Sequence, residues 1–195
     1  MWYVAQTLTG HEEAAREAVI QAVELERRIH EGAQDGAEKP VLETCFVPRY
    51  STVRKREGEW VPVTEPLFPG YLIVVTDRVE DLATCLRRHL RSTRIIGKRS
   101  RAFIPLEADE IVWIDAFTHT GTDVIEISTG IVSKGDVVEV VEGPLVGHEG
   151  WIKDINHRKK VAYLEMEAFG RKIQAEVGLR VTRKRGKSPR ENEAR

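Results

Sequence analysis

The chain has 195 residues, 41% hydrophobic and 31% charged, with a formal net charge of -1. That composition belongs to a soluble globular protein, and no apolar run approaches the roughly 20 residues of a membrane span. The charge is uneven: residues 1–118 hold 16 Lys+Arg against 19 Asp+Glu (net -3), while residues 131–195 hold 14 against 10 (net +4), which permits a nucleic-acid partner at the C-terminal end.

Trp2 to Thr7 reads as a first strand, closed by Gly10, and not as a signal peptide. His11 to His30 reads as a helix, with Ala15, Ala18, Val19, Ala22, Val23 and Ile29 at helical spacing and Glu12, Glu13 and Glu17 toward its N-terminal end. The polar stretch EGAQDGAEKP (31–40) reads as a loop. TCFVPR, STVRKR and LIVV read as strands, with a turn near Glu57-Gly58-Glu59. Val79, Leu82, Ala83, Leu86 and Leu90 predict a second helix, and Ile95-Ile96 a short strand. Pro105 to Phe117 predicts a third helix with Ile111, Ile114 and Phe117 facing a core. The order β-α-β-β-α-β-α implies an α+β sandwich with a largely antiparallel sheet over residues 1–118.

THTGTDVIEISTG (118–130) lacks helical spacing and reads as a flexible linker over 119–130, with room for a brief extended piece. Beyond it lie only short strands. GDVVEVVEGPLVGHEGWIKDI carries two apolar runs with Gly-rich breaks between them. AYLEMEA alternates with Ala162, Leu164 and Met166 inward, and KIQAEV with Ile173, Ala175 and Val177 inward. Residues 131–187 therefore predict a small β-barrel, and 188–195 a disordered charged tail.

Chemistry-bearing motifs are missing from the sequence. The six histidines are scattered, Cys45 and Cys85 show no metal-ligand spacing, and neither a phosphate-binding GxxxxGK[ST] loop nor a GxSxG elbow is present. The expectation is a cytoplasmic, non-enzymatic protein with reduced cysteines and no metal, cofactor or membrane partner.

Three segments carry a resemblance. WYVAQT, LFPGYLIV and GDVVEVVEGPLVGHEG-WIKDI, in this order and spacing, resemble the NusG family of transcription elongation factors. The resemblance implies an N-terminal NGN domain, which is an α/β sandwich, and a C-terminal KOW domain, which is an SH3-like small barrel. It also implies RNA polymerase as partner, met at the clamp helices of its largest catalytic subunit through the FPGY region. Phe68, Pro69, Gly70 and Tyr71 would form that surface, with Trp2 and Tyr3 nearby. Ordinary core packing is the plain alternative for the rings.

EPLFPGYLIV and INHRKKVAYLEMEAFGRKIQAEVGLRV further resemble the LoaP branch, whose members are operon-specific antitermination factors. That implies a nascent RNA hairpin held by the KOW domain. The candidate cations are Lys153, Arg158, Lys159, Lys160, Arg171, Lys172, Arg183, Lys184 and Arg185. The plain alternative for the Arg158-Lys159-Lys160 run is a solvated hairpin tip. Phe169, beside Gly170, could stack on a base, cap the barrel, or meet Rho or the ribosome as a ring in this region does elsewhere in the family. Arg91 to Arg94 offer contacts to upstream DNA. Two other functions stand beside this one: a general elongation factor whose barrel binds protein partners, and a ribosome-associated RNA-binding structural protein.

Overall fold

The computed structural model describes residues 1–30, 41–97, 103–108, 110, 111, 114, 124–132, 138–168 and 171–183. The N-terminal half is built on β1 (Trp2–Gln6), β2 (Thr44–Phe46), β5 (Tyr71–Val75) and β6 (Arg94–Ile95), in the order β2-β5-β1-β6, all antiparallel. Strand alternation divides their side chains between two faces. Tyr3, Ala5, Cys45, Leu72 and Val74 face α1 (Glu12–His30) and α2 (Val79–His89), packing on Ala15, Val19, Leu82 and Leu86. Val4, Phe46, Ile73 and Val75 belong to a second apolar cluster with Leu106 and Ile114.

Helix α1 starts with Glu12 and Glu13 in its first turn and buries Ala15, Val19 and Ala22. Ile29, expected to face the core, is 58% exposed, because the helix runs past the sheet it packs on. Helix α2 has acids in its first turn and Arg87, Arg88 and His89 in its last, as the helix dipole favours. Of the expected third helix, Ala108, Glu110, Ile111 and Ile114 are helical, the amide of Ile111 bonds the carbonyl of Glu107 at 3.0 Å and Ile114 is buried; residues 109, 112, 113 and 115–117 lie outside the described residues.

A hairpin of β3 (Arg49–Arg56) and β4 (Glu59–Pro66) turns through Glu57 and Gly58, both at positive φ, as a two-residue type I′ turn requires. Glu59–Pro66 was not among the strands expected from the sequence, and it carries two prolines. It stands at the edge of the sheet β4-β3-β7, where a missing amide is tolerated. Strand β7 (Val124–Ile125) runs parallel to Arg49–Tyr50. The stretch read as a flexible linker over 119–130 is therefore strand-paired in its second half. Its β-branched Val124 and Ile125 find a free edge, and β8 begins at Ser128.

The C-terminal half is a five-stranded sheet, β10-β11-β12-β8-β9, formed by β8 (Ser128–Val132), β9 (Val138–Glu142), β10 (Ile152–Asn156), β11 (Val161–Ala168) and the long β12 (Arg171–Arg183). Ala162, Leu164, Ala175, Val177 and Leu179 are buried, as the alternation predicts; the side chain of Met166 lies outside the described ones. The GPL turn serves this core. Gly143 has φ +96 and a Cβ there would lie 2.7 Å from Ser128 Cα, while Leu145 is fully buried and its amide bonds Ser128 Oγ at 3.1 Å. The structure is mixed α+β, with the second sheet curled as in an SH3-like barrel.

The two halves touch. Strand β12 lies against β3, and a Cβ on Gly178 would come within 2.3 Å of the Ser51 carbonyl oxygen. Tyr50 OH donates to Glu65 Oε2 at 2.8 Å and reaches Glu176 Oε2 at 3.4 Å. Burial, then the bond to Glu65, pushes the Tyr50 phenol well above its usual range. Arg54 bonds Glu65 and lies 4.0 Å from Glu176. One apolar cluster contains Tyr50, Phe68 and Ile125 from the first half and Val140, Leu164 and Val177 from the second.

Candidate functional site

LFPGY forms a turn that its own residues dictate. The Tyr71 amide bonds the Phe68 carbonyl at 3.1 Å, Pro69 occupies the second position, and Gly70 occupies the third with φ +84. This is the residue pattern of a type II turn, in which only glycine adopts the third position without strain. The turn is then fastened to the start of α1. Glu12 Oε1 accepts the amides of Gly70 at 2.7 Å and Gly10 at 3.0 Å, and the Thr7 amide bonds the Gly70 carbonyl at 2.9 Å. Burial opposes the Glu12 charge, but the amides of Gly10, Glu12 and Gly70 outweigh it and hold the carboxyl below its ordinary pKa.

The six residues expected to meet polymerase do not share one exposed face. Pro69 is exposed, and Trp2 and Tyr71 are half-buried. Gly70 is buried and Phe68 is only 2% exposed, inside the cluster that spans both halves. Tyr3 takes the opposite side of β1 from its neighbour Trp2 and packs beneath the helices. Trp2 meets Phe46 edge-on, with ring centroids 5.6 Å apart.

The expected RNA-binding cations are also dispersed. Arg158 and Lys159 are exposed in the turn between β10 and β11, where Asn156 Oδ1 accepts the Lys159 amide at 2.9 Å. Lys160 adopts φ +58 and places its Nζ 4.3 Å from the centroid of the Trp60 ring on β4. Lys153 and Lys172 approach the same Glu165 carboxylate, at 3.7 and 3.8 Å. Arg171 and Lys172 start β12, at the far end of the eight-residue β11 from Lys160, which at strand rise is about 25 Å. The side chains of Arg171 and Arg183 are not among those described, and Phe169, Lys184 and Arg185 lie outside the described residues. In the N-terminal half, Arg94 bonds Gln6 and Arg88 bonds Glu26.

A family model described as "Transcription termination factor nusG" matches residues 1–114, and one described as "KOW motif" matches residues 134–165. The chain belongs to the NusG family. Among curated NusG-family relatives, the transcription termination/antitermination protein NusG of Streptococcus pyogenes serotype M1 is 25% identical over 181 residues, covering 91% of this chain and 92% of its own. That of Helicobacter pylori is 26% identical over 179 residues, with 90% and 93% covered. That of Bacillus subtilis is 25% identical over 183 residues, again with 90% and 93% covered. A solved structure described as the domain interaction in Thermotoga maritima NusG aligns over 91% of this chain and 92% of its own, with a TM-score of 0.51 at 20% identity, a likeness of fold.

Sequence reasoning found the FPGY turn of this NusG-family chain but not its fastening. Glu12 was read as a helix-dipole acid. Its partner Gly70 lies 58 positions away, and no local pattern signals that pairing. Trp60 and Gly178 were missed for the same reason: both act across the contact between the halves.

Proposed function

We propose that this chain is a transcription factor of the termination/antitermination type that docks on RNA polymerase through its N-terminal sheet and carries a second recognition surface on its C-terminal barrel. The observation that carries the reading is the Phe68–Tyr71 type II turn, with exposed Pro69 beside the half-buried Tyr71; Trp2 lies on the same face of the sheet, at the other end of the β1–β5 pair. A preorganised turn next to a half-buried aromatic ring, on a sheet face that carries a second one, suits an anchoring contact with apolar helices, here the clamp helices of the largest catalytic subunit. The protein then works in the cytoplasm, where bacterial polymerase is. Tyr71→Ala and Trp2→Ala should each weaken polymerase binding by at least about 2 kcal/mol, roughly 30-fold. Folded variants that bind like the wild type would overturn the docking surface.

The finer reading is operon-specific antitermination, in which the barrel holds a nascent RNA hairpin. The exposed Arg158-Lys159 turn supports it, since a protruding basic turn can reach phosphates without entering a groove. In vitro transcription across a terminator, with and without a structured leader, tests it: read-through only with the leader is expected, and leader-independent activity sinks it. A specific observation favours a second reading, a general factor whose barrel meets a protein such as Rho or a ribosomal component. Lys153 and Lys172 share Glu165, and Lys160 lies on Trp60, so the basic set is partly neutralised within the protein. Contacts of the Arg91–Arg94 segment with upstream DNA would accompany either reading.

A further inference from the structure

We propose that Glu26, Cys85 and His89 form a binding site for a single zinc-class divalent cation that clamps the distal half of α1 to the end of α2. The three residues come from two helices. Cys85 and His89 are one turn apart on α2, at the i, i+4 spacing that puts two ligands on one helix face. Glu26 faces them from α1. Their ligand atoms all lie within 4.8 Å of one another. Bonds of about 2.3 Å to sulfur and about 2.0–2.1 Å to nitrogen and oxygen set neighbouring ligand atoms of a tetrahedral zinc about 3.3–3.6 Å apart. Side-chain shifts of roughly an ångström therefore convert the observed arrangement into a coordination shell.

The surroundings fit a cation better than a bare cluster of acids. Cys85 is only 2% exposed, and the Glu26 and His89 side chains are 16% and 19% exposed, so the set is sheltered without being sealed. His89 Nε2 and Glu26 Oε2 are already 2.8 Å apart, and the metal would replace the proton between them. Arg88 holds the other Glu26 oxygen, fixing the carboxylate as outer partners of metal ligands do. One thiolate and one carboxylate offset the two charges of the ion, leaving the single positive charge of Arg88 at the more exposed edge. A thiolate, an imidazole and a carboxylate together select zinc over magnesium or calcium.

The test uses the full-length protein stripped with a chelator and titrated with Co²⁺, then Zn²⁺. The expected result is a thiolate-to-cobalt charge-transfer band that saturates at one equivalent and is lost when Zn²⁺ displaces cobalt. Cys45→Ser should keep the band, since Cys45 is buried in the sheet outside this set. Cys85→Ser should lose it, while His89→Ala and Glu26→Gln, which keep the buried thiol, should weaken Zn²⁺ binding at least tenfold. Circular dichroism of each metal-free variant establishes that it is folded. The proposal is overturned if the wild type shows no band, if the band survives in Cys85→Ser, or if folded His89→Ala and Glu26→Gln bind Zn²⁺ like the wild type.

Discussion

Glu12 is 4% exposed and accepts two backbone amides, one of them from the turn expected to meet polymerase. Charge-assisted bonds of this kind contribute about 1.5–3 kcal/mol each when a partner is removed. Glu12→Ala should therefore lower stability by about 3 kcal/mol or more in urea denaturation and loosen the turn, read as faster hydrogen exchange at Gly70. The pH dependence follows from the lowered carboxyl pKa. A carboxyl depressed on folding contributes fully above its unfolded value of about 4.3, and that contribution fades as pH falls through the folded value. Glu12→Gln should accordingly lower stability at neutral pH and converge on the wild type as pH falls below about 5, which flattens the acid limb of the stability curve. Gly70→Ala puts a side chain at φ +84 with its Cβ 3.0 Å from Thr9 Oγ1. About 1–2 kcal/mol of left-handed strain is expected, visible as a lower Tm.

Periodic elements were legible in the sequence. Both helices stand where apolar residues recur at helical spacing, and β1, β5 and β11 where residues alternate or run apolar. The FPGY turn was legible because Pro and Gly restrict the backbone locally. Features that depend on distant partners were not. Nothing in WVPVTEP shows that its prolines face an open sheet edge, and nothing in VIEIST shows that it would pair with Arg49 and Tyr50. Tyr3 was expected near the FPGY turn because the first strand lies beside the FPGY strand, and that pairing is present; which face its side chain takes depends on strand alternation, which puts it under the helices. The GPL turn offers a test at this scale. Leu145 is fully buried in the C-terminal sheet, so Leu145→Ala should cost about 2–5 kcal/mol. Amide exchange should localise the loss to residues 138–183 and leave α1 and α2 protected.

At the level of the molecule, the contact between halves depends on a residue with no side chain. A Cβ at Gly178 would lie 2.3 Å from the Ser51 carbonyl oxygen, a backbone atom that cannot rotate away. Gly178→Ala should thus part β12 from β3 while each half stays folded. Small-angle scattering should show a larger radius of gyration, and NMR shifts should change along β3 and β12. If Gly178→Ala leaves both unchanged, the contact does not persist in solution. The Trp60–Lys160 pair adds a consequence. An ammonium group seated on an indole face gives up part of that contact when it turns fully toward an external anion. A polyanion that claims this lysine and the hairpin that now holds it are rivals for the same charge, and their rivalry is reciprocal. Whatever factor docking subtracts from anion affinity, a saturating anion subtracts from docking. The hairpin thus sets the threshold concentration at which such an anion is felt, and replacing Trp60 would lower that threshold without altering any atom that touches the anion.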